Sequence, residues 1–148
     1  MKVYLDTSVF SALFDARNPE RKELTKEFFS NIRNYEVYIS NLTRIEIDKT
    51  PDNELREKMQ NEISEIEVLP SDETVQDLTE EYVRYEAISN NYIEDAYHIA
   101  AAVVNNLDIV VSWNFRHIVR RKTKDIVAMV NTKNNFKHIE IMTPAELL

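Results

Sequence analysis

Three acids stand where apolar segments give way to polar ones. Asp6 follows Val3-Tyr4-Leu5 directly, Glu46 lies one turn beyond Leu42, and Asp95 is bordered at helical spacing by Ile99 and Ala102. A fourth polar group, Ser112-Trp113-Asn114, follows the apolar run Ile109-Val110-Val111. Carboxylates gathered in a half-buried pocket repel one another and rise in pKa unless they share a positive charge. A divalent cation supplies that charge. An all-oxygen donor set without cysteine or a histidine cluster favours Mg²⁺ or Mn²⁺ over zinc, and water bound to such an ion can attack phosphorus. The competing explanation is plain: with 26 acidic residues in the chain, three acids say little by number, and Asp95 with Glu94 could simply complement a helix dipole.

Other polar residues near these acids have simpler explanations. Thr7 and Ser8 read as the cap of a first helix rather than as nucleophiles, though a hydroxyl there could orient a bound water. His98, one turn after Asp95, and His117 have no nucleophile beside them. Trp113 and the aromatic residues of the first helix read as core.

The elements that would position these groups alternate in type. Val3–Leu5 reads as a strand and Val9–Phe14 as a helix, with a second helix carrying Leu24, Phe28, Phe29 and Ile32. Residues 36–40 alternate into a second strand, a helix starts at Asn41, and an acidic helix follows Pro51. Ile66–Leu69 reads as a third strand closed by Pro70. Residues 73–88 form an amphipathic helix, and Asn91-Tyr92-Ile93-Glu94 has capping-box spacing at the start of a helix through Val104. That helix is apolar on almost every side and should be buried against a sheet. Residues 109–111 make a fourth strand, 125–136 a helix, 139–142 a last strand, and Thr143-Pro144-Ala145-Glu146 a capped turn.

Strands alternating with helices predict an α/β fold: a three-layer α/β/α domain over residues 1–148 with a mainly parallel sheet of four or five strands. Ligands of such sheets bind beyond the carboxyl ends of the strands. Asp6, Glu46, Asp95 and Asn114 are all predicted at that edge.

Composition narrows the chemistry. The chain of 148 residues contains no Cys, which excludes thiolate zinc sites, disulfides and cysteine nucleophiles. It also contains no Gly, where average usage would supply about ten, so phosphate loops and dinucleotide fingerprints are excluded. Left-handed turns must fall on other residues, with Asn90-Asn91, Asn105-Asn106 and Asn134-Asn135 well placed. No apolar run approaches membrane-spanning length and no signal peptide is evident, which gives a cytoplasmic expectation. Net charge is -8, yet Arg116, Arg120, Arg121, Lys122 and Lys124 form a strip without an acid. The strip is either a solvated face or a local attractor of phosphate.

Taken together, the motifs resemble the PIN-domain ribonucleases, especially the VapC-like toxins of toxin–antitoxin pairs. Val3-Tyr4-Leu5-Asp6-Thr7-Ser8-Val9-Phe10 is similar to the opening motif of that family, Ser40-Asn41-Leu42-Thr43-Arg44-Ile45-Glu46 to its second, and Glu94-Asp95-Ala96-Tyr97-His98-Ile99-Ala100-Ala101-Ala102 to its third. Residues 109–118 and the ending Ile141–Glu146 resemble the remaining blocks. The resemblance implies a Mg²⁺- or Mn²⁺-dependent endoribonuclease with Asp6, Glu46 and Asp95 as acidic metal-site residues. Asn114 would complete the catalytic set, at a position where the family commonly has a fourth acid. It implies an RNA substrate, a cognate antitoxin and a homodimer; within the basic strip, which follows directly on Asn114 at the strand end, Arg116, Arg120 and Arg121 are the candidate phosphate contacts. The alternative reading is a PIN-like module that binds RNA or protein with weakened catalysis, since an amide at position 114 brings no negative charge. An aspartyl-nucleophile phosphatase would need an acid where Ser8 stands.

Overall fold

The computed structural model describes residues 1–148. Five strands, β1 (Lys2–Leu5), β2 (Glu36–Ile39), β3 (Glu67–Val68), β4 (Ile109–Val111) and β5 (Glu140–Met142), form one sheet in the order β3-β2-β1-β4-β5. All four pairings are parallel, with Val3 opposite Val37 on one side and Ile109 on the other. Seven helices connect them: α1 (Thr7–Ala12), α2 (Pro19–Ser30), α3 (Asn41–Asp48), α4 (Asn53–Ile63), α5 (Glu73–Arg84), α6 (Ile93–Val104) and α7 (Arg121–Lys133). This is the three-layer α/β/α arrangement that the alternation predicts.

Strand alternation divides the core in two. Val3, Leu5, Ile39, Ile109 and Val111 point to one face, where Val9, Phe10, Phe28, Ile47 and Met59 of α1–α4 cover them. Tyr4, Val110 and Ile141 point to the other, under α5, α6 and α7. A sheet buried on both faces needs strands that are apolar throughout, and Val3, Tyr4, Leu5, Ile109, Val110 and Val111 are all buried. On α6, residues 98–103 are buried without a break, as its nearly all-round apolar sequence requires.

Several boundaries differ from the sequence reading, each for a local reason. The third strand is only Glu67–Val68, because β3 is an edge strand paired with β2 alone. The helix expected from residue 125 begins at Arg121, so Arg121, Lys122 and Lys124 occupy its first turn. The capping box at Asn91 does not form. Residues 90–92 make a 3₁₀ turn capped by Ser89, and α6 then starts behind Tyr92 with no side-chain cap. Asn106 and Asn135 take the left-handed conformation, as expected of a glycine-free chain, but the third such residue is Glu86 at φ 63° rather than Asn90 or Asn91. Glu86 follows the end of α5, where Ala87 N–H returns to the Tyr82 carbonyl at 2.9 Å. The ending Thr143–Glu146 does form a capping box.

The chain builds outward from β1 through β2 to β3, then crosses back to place β4 on the other side of β1. The carboxyl ends of β1 and β4 therefore border the point where strand order reverses, which is where open α/β sheets hold their ligands.

Candidate active site at the sheet switch point

Asp6 sits in that crevice. Its N–H extends the ladder to the Val111 carbonyl at 3.2 Å, and extended backbone at φ -81°, ψ 173° then makes it the N-cap of α1. One carboxylate oxygen accepts from Ser8 N–H at 3.1 Å and Ser8 Oγ at 2.5 Å, and the other accepts from Ser112 Oγ at 2.8 Å. The two hydroxyls are themselves held by backbone donors of the β4 end, Trp113 N–H on Ser8 Oγ and Asn114 N–H on Ser112 Oγ. The cap is thus Asp6, not Thr7 or Ser8. With 4% exposure, burial pushes the Asp6 carboxyl above the usual range, against the lowering influence of His98 and both hydroxyls, and the charge of Asp95 adds to the rise.

Glu46 projects from α3 and is held by one oxygen. Its Oε1 accepts from Thr7 Oγ1 at 2.6 Å and from His98 Nε2 at 2.6 Å, which leaves Oε2 with no hydrogen bond. His98, 2% exposed on α6, reaches Tyr4 Oη through Nδ1 at 2.5 Å, and Tyr4 Oη contacts Ser40 Oγ at 2.7 Å. Burial opposes a charge on the imidazole, but Tyr4, Glu46 and Asp6 outweigh it and hold His98 well above its ordinary value. Burial likewise works against the Glu46 carboxylate, yet the bond and charge of His98, with Thr7 and Lys49, bring it below its ordinary value. His98 and Glu46 are therefore an ion pair.

Asp95, in the first turn of α6, is half-buried, and burial pushes it up. His98, His117 and the amide of Asn114 counter the rise, while Glu46 adds to it. Asn114 spends its Oδ1 on the N–H of His117 at 2.9 Å, so its carbonyl is already engaged.

The acids sense one another's charge, but no three acid or histidine side chains stand close enough to grip one ion. The physical reason is visible at Glu46, which faces His98 and Thr7. Asp6 and Asp95 fit a hard divalent cation: both are oxygen donors, and burial outweighs their polar neighbours and raises both in pKa. Glu46 fits through Oε2 alone.

Of the basic strip, Arg116 is exposed beside Asn114. Arg120 is committed inward, with Nε on Thr123 Oγ1 at 2.9 Å and a second nitrogen on the Ala87 carbonyl at 3.1 Å. Arg121 lies 3.6 Å from Asp125 one turn on. Trp113 is core, its Nε1 bonded to Thr25 Oγ1 at 2.9 Å. The sequence reading missed the roles of Tyr4, Ser112 and His98. The available signal was His98 itself, a polar ring three residues after Asp95 on an otherwise apolar face.

A parallel α/β sheet with acids and hydroxyls gathered at its switch point defines an α/β domain built to bind a ligand there. Residues 3–120 match the PIN domain, and the chain belongs to that family, whose members are generally nucleases using divalent metal ions. No curated protein matches the chain. No helix is long and apolar enough to cross a membrane.

Proposed function

We propose that this PIN-family chain is a Mg²⁺- or Mn²⁺-dependent endoribonuclease, acting in the cytoplasm as the toxin of a toxin–antitoxin pair and working as a homodimer. The observation that carries the catalytic reading is the pair Asp6 and Asp95, two desolvated carboxylates with raised pKa at the switch point of a PIN fold. Desolvated carboxylates whose pKa is raised gain more from a nearby cation than exposed ones do, because less water competes for them.

Asp6 and Asp95 would hold the ion, with Oε2 of Glu46 joining only once a cation draws the three acids closer than they stand. When bound, it supplies a nucleophilic water at neutral pH and neutralises charge on the phosphate. The protein's own contribution is positional. Ser8 and Ser112 fix both oxygens of Asp6, Thr7 and His98 fix Oε1 of Glu46, and the amide of Asn114 faces Asp95 without adding a fourth negative charge. Arg116 and the first turn of α7 supply positive surface for the RNA backbone. Cations at a helix N-terminus oppose the macrodipole, so Arg121, Lys122 and Lys124 sit where helix stability disfavours them, a conflict typical of functional surfaces.

Purified protein incubated with mixed cellular RNA and Mg²⁺ or Mn²⁺ should produce discrete fragments, and EDTA or Asp6→Asn should abolish them. Cleavage that survives both would end this reading. The engaged carbonyl of Asn114 favours a second one, an RNA-binding module with weakened catalysis. RNA binding without cleavage under either metal would select it. Co-purification with the product of a neighbouring gene tests the antitoxin.

A further inference from the structure

Large apolar side chains that remain exposed are few, and the only aromatic ones among them, Tyr92 at 42% and Phe115 at 50%, both border the acidic crevice. Tyr92 precedes α6, three residues before Asp95. Its ring stacks on His117, with centroids 3.9 Å apart and planes inclined by 24°. His117 in turn is close enough to Asp95 for its charge to bear on that carboxylate. Phe115 stands on the other side of Asn114, its ring 6.2 Å from that of Trp113. The Arg21 guanidinium lies over both rings, 5.6 Å from Phe115 and 5.1 Å from Trp113.

Phe115 and His117 project from one tight turn. Ile118 and Val119 N–H both bond the Asn114 carbonyl, at 3.1 and 2.8 Å, and the Asn114 side chain caps His117 N–H. The turn is rigid, so the two aromatic groups have fixed places on either side of Asn114. Tyr92, stacked on His117, and Phe115, backed by the Arg21 guanidinium, each offer a flat, electron-rich face with no apolar groove around it. That shape suits a planar ring and does not suit an aliphatic helix face, which needs a groove. Arg21 and Arg116 supply charge complementary to a phosphate backbone, and the surface is continuous with the crevice.

We infer that Tyr92–His117 and Phe115–Arg21 are two base-stacking platforms that receive unpaired nucleobases of single-stranded RNA on either side of the phosphate at the crevice. This rests on the RNA-cleaving reading for the identity of the polymer. Bases within a duplex are stacked on each other and present no face to such platforms.

Binding is tested in EDTA, where no cleavage occurs. The probes are a mixed-sequence single-stranded oligoribonucleotide, its duplex, and an abasic strand of the same length. Trp113 is the only tryptophan and sits beside Phe115, so its fluorescence reports occupancy of that platform. Single-stranded RNA should quench Trp113, and Tyr92→Ala and Phe115→Ala should each weaken its binding by roughly tenfold, with duplex and abasic affinities unchanged. Tyr92→Phe, which keeps the ring, should bind as the wild type. Equal losses on all three probes, or no loss on any, would overturn the platforms. Loss of a co-purifying protein with RNA affinity intact would also overturn them, assigning the surface to a protein partner. Wild-type protein that binds single strands in this way yet cuts none of them with Mg²⁺ or Mn²⁺ would refute the nuclease reading alone.

Discussion

Replacing His98 with phenylalanine isolates the buried relay, because the ring volume is kept while both polar contacts are lost. The bond to Tyr4 Oη is donated by the charged imidazole, but Tyr4 keeps Ser40 as a partner, which holds the loss to about 1 kcal/mol. The bond to Glu46 is charge-assisted, in the range of about 1.5–3 kcal/mol, but Glu46 is 33% exposed and can turn to water, which roughly halves the loss. The sum is about 2–2.5 kcal/mol. For a chain of this length each kcal/mol moves Tm by about 2–4 °C, so His98→Phe should melt about 5–10 °C below the wild type. The pH dependence gives a second handle. His98 is held above its ordinary 6.5 in the folded state, so its contribution is full below about pH 6.5 and is lost as pH rises through the folded value. Glu46 is held below its ordinary 4.5, so its share is full above that value and fades as pH falls through the lowered one. The Tm gap should therefore be widest near pH 5–6.5 and narrow in alkali, as measured by thermal melts across buffers. A variant as stable as the wild type throughout that window would show that the relay contributes nothing net, and the reasoning would fail.

Asp95→Asn should melt above the wild type at pH 7: the raised carboxyl favours folding only while protonated, below its ordinary 3.8, and that advantage is lost as pH rises through the folded value. The gap should close toward pH 4 in a melt series. Asn114→Asp places a second carboxylate against Asp95, so it should lower Tm without metal and recover it in millimolar Mg²⁺ or Mn²⁺; a Tm indifferent to both ions would count against a shared cation. Lys122→Glu should raise stability by about 0.3–1 kcal/mol in urea melts by reversing a charge at the α7 N-terminus, while weakening RNA binding. Glu86→Gly should stabilise by about 1 kcal/mol or less, since relief of the left-handed conformation exceeds the added freedom of the unfolded chain; destabilisation would mean that the Glu86 side chain holds something.

The alternation of apolar segments was enough to predict the layers and the parallel sheet, because a strand buried on both faces has little choice of residue. The edge that holds the acids followed from topology, since any residue just past a strand must lie there. What the sequence could not show is which polar groups pair. Ser112 and Asp6 are far apart in the chain, and nothing in the local pattern around either marks the other as its partner. His98 looked like a stray polar residue on a buried helix, and only the register of α6 over Tyr4 and α3 makes it a bridge. The capping box expected at Asn91 does not form for a simpler reason: Ser89, two residues earlier, caps the turn there instead. Arg120 shows the reverse error, since a cation in a basic run reads as solvent-facing until its contacts with Thr123 and Ala87 are seen.

The central position of β1 bears on the order of events during synthesis. Strand β1 is made before its neighbour β4, and the Ser112 hydroxyl that holds Asp6 comes 106 residues after it. At about 5–20 residues per second, a ribosome needs roughly 5–20 s to cover that interval. Throughout it, Asp6 is an ordinary solvated carboxylate with its usual affinity for protons. The crevice has no partial form: until the second half of the sheet docks, the first half carries its acids without their setting. A growing chain of this protein therefore carries no assembled site until the residues past β4 have joined the sheet.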